Sequence, residues 1–243
     1  MMCTAVPSPS LNGVGRSWPR GTFLSVLTPQ VREDLLRLGE RRRYDHGSVL
    51  LFEGERSTHV ILLLQGLVKV TSDLETGRMA LLGIRMGGDL VGEMAMLNDR
   101  ARSATVSTCG PVALRVIPER QFTTFLRRRP EAAIALSSMI SQRLRWANRR
   151  RTDFNGYPTG VRLARVLVEV AGTYGHQTED GIAFDVTLTQ DEFGAMIGAD
   201  ADTTGRELRR LKAVGTIQTG YRRTIIRDLE ALRARGNLFG EEW

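Results

Sequence analysis

Hydrophobic positions change their period repeatedly along this chain, and each change marks a different class of element. Residues 1–20, with Pro7, Pro9, Gly13 and Gly15, carry too little apolar content to pack and read as a tail. Thr28-Pro29 then supplies an N-cap followed by proline at the first helical position. Val31, Leu35, Leu36 and Leu38 follow on one stripe, which predicts a short amphipathic helix. From Arg43 to about Pro118 the apolar runs become short and are broken by glycine: 48–52, 60–64, 67–71, 79–84, 104–107 and 113–117. Such spacing predicts antiparallel strands in an all-β sandwich or roll.

Helical spacing returns over 119–129 and again from Pro130 to about Thr152. The second of these is apolar on too much of its girth for a lone surface helix, with an imperfect seam through Ala133, Ser137, Ile140, Leu144 and Ala147. Asn155-Gly156-Tyr157-Pro158 stops the period within 149–158, where a hinge is expected. A further helix follows over 160–172.

Thr189-Gln190-Asp191-Glu192 is a capping box opening a short helix that buries Phe193 and Ile197; Gly198 breaks it, and Asp200 caps a second helix over 201–214. At about 100° per residue, Thr204, Leu208 and Leu211 share one side of that helix. Asp202, Thr203, Arg206, Arg209 and Arg210 face the other way. Two short strands around Thr219-Gly220-Tyr221 form a wing whose Arg222 and Arg223 suit phosphate contact, and Asp228 caps a final helix.

Composition narrows the class. A length of 243 residues suits two modest domains, and 42% hydrophobic content supports real cores. No run of eighteen apolar residues occurs and Met1 to Gly21 lacks the apolar centre of a secretory signal, so a cytoplasmic location away from membranes is expected. Cys3 and Cys109 offer neither a disulfide framework nor an iron–sulfur site. His46, His59 and His176 stand alone, which argues against a metal-dependent enzymatic β-roll and leaves it as a rival that a bound metal would reveal; no nucleophile constellation occurs, so no enzyme is expected. The net charge of +7 is unevenly spread: residues 159–243 carry eleven Lys/Arg against thirteen Asp/Glu. DNA binding there therefore requires focusing of charge, and 206–223 provides it with six basic residues against Glu207 alone.

The candidate chemistry lies in Val91-Gly92-Glu93-Met94 and, ten residues beyond Gly92, Arg102-Ser103. A turn glycine lets backbone N–H groups approach a ligand, and a guanidinium forks onto phosphate. Glu93 fits beside such a pocket only by accepting from a neutral hydroxyl, which suggests a ribose phosphate. Together with Gly87-Gly88-Asp89-Leu90 upstream and the Arg102-Ser103-Ala104 close, this stretch resembles the phosphate-binding cassette of the catabolite activator/FNR (CRP/FNR) family, outside its iron–sulfur branch.

The resemblance implies an α+β chain with an N-terminal cyclic-nucleotide-binding β-roll (jelly roll), a long dimerisation helix and a C-terminal winged helix-turn-helix. The divisions expected are a tail at 1–20, the β-roll at 21–129, dimer helix and hinge at 130–158, the DNA-binding domain at 159–236, and a tail at 237–243. By the same resemblance Glu93 takes the ribose hydroxyl, Arg102 and Ser103 the cyclic phosphate, and Arg143 and Asn148 close over the ligand. Thr189, Gln190, Ala201, Asp202, Thr203, Arg206, Arg209, Arg210, Arg222 and Arg223 contact DNA. Two departures matter: Ala147-Asn148 replaces a Thr-Ser pair that holds adenine, and Ala201-Asp202 replaces an Arg-Glu pair that reads the operator. The expectation is a homodimeric transcription regulator on a palindromic operator in double-stranded DNA, with RNA polymerase as a further partner. No cofactor is obligatory, and the effector would be cAMP or cGMP. Two other readings stay open: a regulator with a non-functional pocket, and a nucleotide sensor acting through protein contacts.

Overall fold

Glycine-punctuated apolar runs become strands here because both faces of one sheet find something to bury against. The computed structural model describes residues 18–75, 77, 79–184, 188–220 and 223–238, with the backbone but not the side chain of Arg223. Positions 1–17 and 239–243, expected as tails, and Tyr221 and Arg222, expected in the wing, therefore lie outside the described residues. The chain enters through two helices, α1 (Phe23–Val26) and α2 (Pro29–Leu36). Thr28 stands at the N-cap of α2 with Pro29 at its first position, yet its side chain makes no capping bond. Arg32 secures the entry instead, donating to the carbonyls of Leu24 and Leu27 at 2.9 Å each.

Eight strands follow: β1 (Glu40–Tyr44), β2 (Val49–Leu51), β3 (Val60–Gln65), β4 (Leu67–Asp73), β5 (Met79–Met86), β6 (Leu90–Val91), β7 (Thr105–Thr108) and β8 (Val112–Ile117), with α3 (Glu93–Asn98) between β6 and β7. They pair antiparallel in two four-stranded sheets, β1-β8-β3-β6 and β2-β7-β4-β5. The continuous apolar run of β3 explains the layering. Ile61 and Leu63 fill the space between the sheets with Val68, Val106 and Leu114, while Val60 and Leu62 bury against Phe23, Phe122 and Leu136 on the outer face.

Sequence pattern missed α1, β1, β6 and α3. The charged strand Glu-Arg-Arg-Arg-Tyr has no apolar alternation because β1 is an edge, paired on one side with β8 and mostly exposed. β6 is only two residues long, too short for a period to show.

Beyond the roll come α4 (Glu119–Arg128) and the 27-residue α5 (Pro130–Gly156). The helix outruns the expected end near Thr152 because Asn155 and Gly156 still fit its last turn. It stops at Tyr157, which is extended (φ −133°, ψ 146°) as the residue before Pro158 favours. The line that the roll buries is a different one from the seam read in the sequence. Ala132, Leu136 and Met139 are the buried line against the roll, Ala133 and Ile140 are half-buried, and Ser137, Leu144 and Ala147 are exposed. Ala-rich spacing alone could not fix which side met the roll.

The C-terminal part comprises α6 (Thr159–Tyr174), β9 (His176–Thr178), β10 (Gly181–Phe184), α7 (Gln190–Ile197), α8 (Ala201–Ala213), β11 (Ile217–Gly220), β12 (Arg223–Ile226) and α9 (Leu229–Arg235). The wing is larger than the expected hairpin: β9 and β10 extend it to a sheet ordered β11-β12-β10-β9. Leu163, Leu167, Phe184, Phe193 and Leu208 share its core.

This reader part is docked on the roll. Ile84 of β5 is buried among its apolar side chains, Tyr174 Oη donates to the Ile84 carbonyl at 2.8 Å, and Lys69 of β4 meets Glu192 of α7 at 2.5 Å.

Phe122 is fully buried and stacks on Phe125 with ring centroids 6.1 Å apart. Phe122→Ala is expected to cost about 3–5 kcal/mol. Urea denaturation should show a lower midpoint.

Candidate ligand cassette and nucleic-acid interface

Gly92 opens the cassette in the left-handed region (φ +84°) at the junction of β6 and α3. A Cβ there would sit 2.6 Å from Arg102 Nη1, so the site requires glycine for space as well as for conformation. Glu93 follows in the first turn of α3, where a negative charge suits the exposed amides, and is buried at 4% exposure. Its Oε1 accepts from Arg143 Nη1 of α5 at 2.7 Å, and Arg143 Nη2 donates to the Leu90 carbonyl at 2.7 Å.

Arg102 is equally buried, at 3% exposure. Its Nε donates to Ser57 Oγ (3.0 Å), Nη1 to the Gly92 carbonyl (2.8 Å) and Nη2 to the His59 carbonyl (2.7 Å). Burial, and then the charge of Arg102, hold the His59 imidazole below its ordinary pKa. Ser103 is exposed, with its Oγ 3.8 Å from Met94 Sδ, and Met94 is itself exposed.

The structure thus brings Val91, Gly92, Glu93, Met94, Arg102, Ser103 and Arg143 to one end of the roll. Asn148 does not join them: it is exposed, five residues along α5 from Arg143 and turned about 140° away around the helix. Ser57 and His59 were missed, and for His59 no sequence signal existed, because its contact is a backbone carbonyl.

At the other end, Thr189 closes the capping box: its Oγ1 accepts from the Glu192 amide (3.2 Å) while its own amide donates to Glu192 Oε2 (2.8 Å). Gly198 (φ +62°) turns the chain, and Asp200 caps α8 by accepting from the Thr203 amide at 2.7 Å. That bond, with a second from the Thr203 hydroxyl, depresses the Asp200 pKa. Thr204, Leu208 and Leu211 are buried; Asp202, Arg206, Arg209 and Arg210 are exposed. Arg206 Nη2 donates to Thr203 Oγ1 at 2.8 Å, which holds it along the outer face. Gln190 is exposed on α7 with its Oε1 over Gly205, where a Cβ would lie 2.6 Å away. Ala201 is half-buried. Glu207, the single acid of this basic run, is buried and binds both Arg210 Nη1 and Arg235 Nη2 (2.9 Å).

Both sites have counterparts among known proteins. Residues 41–129 match the cyclic nucleotide-binding domain family, and residues 161–235 match the Crp-like helix-turn-helix domain family. The chain belongs to the CRP/FNR family. A CRP/FNR-family member it resembles is the CRP-like cAMP-activated global transcriptional regulator of Mycobacterium tuberculosis, 27% identical over 79% of this chain and 86% of that protein. The cAMP-activated global transcriptional regulator Vfr of Pseudomonas aeruginosa is 25% identical over 78% of this chain and 91% of its own length. A solved CRP/FNR-family regulator from Thermus thermophilus superposes with a TM-score of 0.68 at 25% identity, covering 82% of this chain and 98% of its own. This protein is therefore a CRP-like transcriptional regulator, with a cyclic-nucleotide-type β-roll and a DNA-binding helix-turn-helix.

In this CRP/FNR regulator, removing Arg143 would leave Glu93 buried without its cation. Arg143→Ala is expected to cost about 3 kcal/mol, the low end for a buried pair because the Arg143 side chain keeps 21% exposure. Urea denaturation measures this, and the double replacement Glu93→Gln with Arg143→Met should recover most of it.

Proposed function

We propose that the chain works as a cytoplasmic homodimer that lays α8 into the major groove at each half of a two-fold DNA site, with a cyclic nucleotide in the cassette changing the spacing of the two readers. The observation that carries this reading is the outer face of α8. Arg206, Arg209 and Arg210 stand exposed on a helix fixed by a cap, a glycine turn and a buried apolar side. Arg206 reads base edges, while Arg209 and Arg210, with Arg222 and Arg223 of the wing, meet phosphates. Thr189 and Gln190 approach the backbone at the N-terminus of α7. The exposed line of α5, including Ile134, Leu144 and Asn148, supplies the dimer face, and Asn148 then serves the partner's ligand rather than its own. The division of labour is a β-roll to 129, a dimer helix and hinge to 158, and the reader beyond. The finer partners in this reading are a palindromic operator and RNA polymerase.

For the effector, Glu93, Arg102 and Ser103 are the residues that would hold a ribose phosphate such as cAMP or cGMP, and both curated relatives are named for activation by cAMP. A second reading is favoured by a specific observation. Arg102 already donates to Ser57, Gly92 and His59, and Glu93 already has Arg143, so the cassette is satisfied without a ligand and DNA binding could be constitutive. The two readings part on one measurement: fluorescence anisotropy with genomic DNA fragments, with and without cAMP or cGMP. An affinity raised by nucleotide and lost in Ser103→Ala supports the switch; equal affinity throughout supports the constitutive regulator.

Arg206→Ala should cost about 1–3 kcal/mol and relax preference at one base pair. Arg222→Ala should weaken binding evenly across sequences and lower the slope of log affinity against log salt by about one. An unchanged slope would remove Arg222 from the phosphate contacts.

A further inference from the structure

A cavity of about 450 Å³ lies away from the helix-turn-helix face, where β5 of the roll, the middle of α5 and α6 of the reader meet. Its size is that of a small-molecule site. Arg85, Arg143 and Arg150 line it with Trp146, Tyr174 and Glu169. Neither Arg85 Nε nor Arg150 Nε, both buried, has a hydrogen-bond partner. Arg85 Nη1 is spent on the carbonyl of its own neighbour Ile84 (2.7 Å), and no acidic side chain pairs with Arg85 among the described residues. Arg150 reaches the Met196 carbonyl and Glu169 only at 3.3 and 3.4 Å, with its guanidinium carbon 4.7 Å from the Trp146 ring centroid. Burial pushes the Asp89 and Glu169 carboxyls upward in pKa, which weakens them as counter-charges. Buried guanidinium N–H groups without acceptors are costly, and a forked oxyanion is the group that satisfies them.

We propose that this cavity is a second ligand site, which takes a small organic phosphate between the β-roll and the reader. The phosphate is held by Arg85 and Arg150. The space exceeds what a bare phosphate needs, and the rings of Trp146 and Tyr174 give an organic body an apolar wall. The site is distinct from the cassette, yet Arg143 lines it while holding Glu93, so the two share one side chain. Nor does a dimer face cover it. At 100° per residue, Met139, Arg143, Trp146 and Arg150 cluster within about ±30° of one direction on α5, whereas Ile134, Ser141, Leu144 and Asn148 lie within about ±50° of the opposite one. This last step rests on the dimer proposed above; the cavity itself does not.

The test uses the full chain with phenyl phosphate as probe, and with inorganic phosphate and citrate as comparisons at matched ionic strength. Binding is read by tryptophan emission and by thermal melting. The expected result is saturable binding of phenyl phosphate that weakens about tenfold in Arg85→Gln and in Arg150→Gln. Ser103→Ala, a cassette variant at an exposed position, should leave it unchanged. Arg85→Lys, which keeps the charge and loses the fork, gives a weakened site in a chain whose unliganded melting reports folding directly. Binding that survives both glutamine variants, or that disappears in Ser103→Ala, overturns the proposal, as does the absence of saturable binding. A response to citrate and none to phenyl phosphate overturns the assignment to a phosphate. Failure of cAMP to alter DNA affinity would leave this result standing, because the readout does not involve the cassette.

Discussion

A carboxylate buried at the end of a β-roll needs a cation, and in this chain the cation comes from fifty residues away. Glu93 sits in the first turn of α3 with almost no water around it, and Arg143 of α5 supplies both the charge and a second bond to the Leu90 carbonyl. That requirement fixes where α5 crosses the roll. Because α5 continues unbroken to Gly156, it also fixes where the reader begins. A change in how Glu93 is satisfied therefore acts on the helix about 20 Å from its reader end.

The reader is held at the far side by contacts of a different kind. Lys69 meets Glu192, which is also the N3 residue of the capping box that starts α7, so one carboxylate serves the helix-turn-helix and the interdomain joint at once. Tyr174 closes on the Ile84 carbonyl beside it. Asp153 and Arg165 tie α5 to α6 at 2.7 Å across the Tyr157-Pro158 break. The joint combines these polar contacts with an apolar anchor, Ile84 of β5, buried among the reader's side chains.

Much of the fold was legible because punctuation and period agreed. Glycines separate strands whose alternate residues bury on two sides, and the Thr189, Gly198 and Asp200 signals delimit α7 and α8 to within a residue of their ends. What was not legible had no local signature. Charged β1 is a strand because β8 offers an edge, and the short β6 and helix α1 are defined by what they pack on. The heptad of α5 is diluted by Ala and Ser, so its buried line could be chosen only by the roll.

Residue identity alone suggested the candidate chemistry: at the cassette a turn glycine, a carboxylate, a guanidinium and a hydroxyl, and in the reader a helix with a basic face. Three-dimensional packing decided the partnerships. It gave Arg102 to the carbonyls of Gly92 and His59, gave Arg143 to Glu93, sent Asn148 to the opposite side of its helix, and buried Glu207 between two arginines. It also left Arg85 and Arg150 with buried N–H groups lining one cavity. The physical reason is that caps, turns and amphipathic faces are fixed by neighbours within a few residues. A buried charge is instead satisfied by whatever distant chain the fold carries past it.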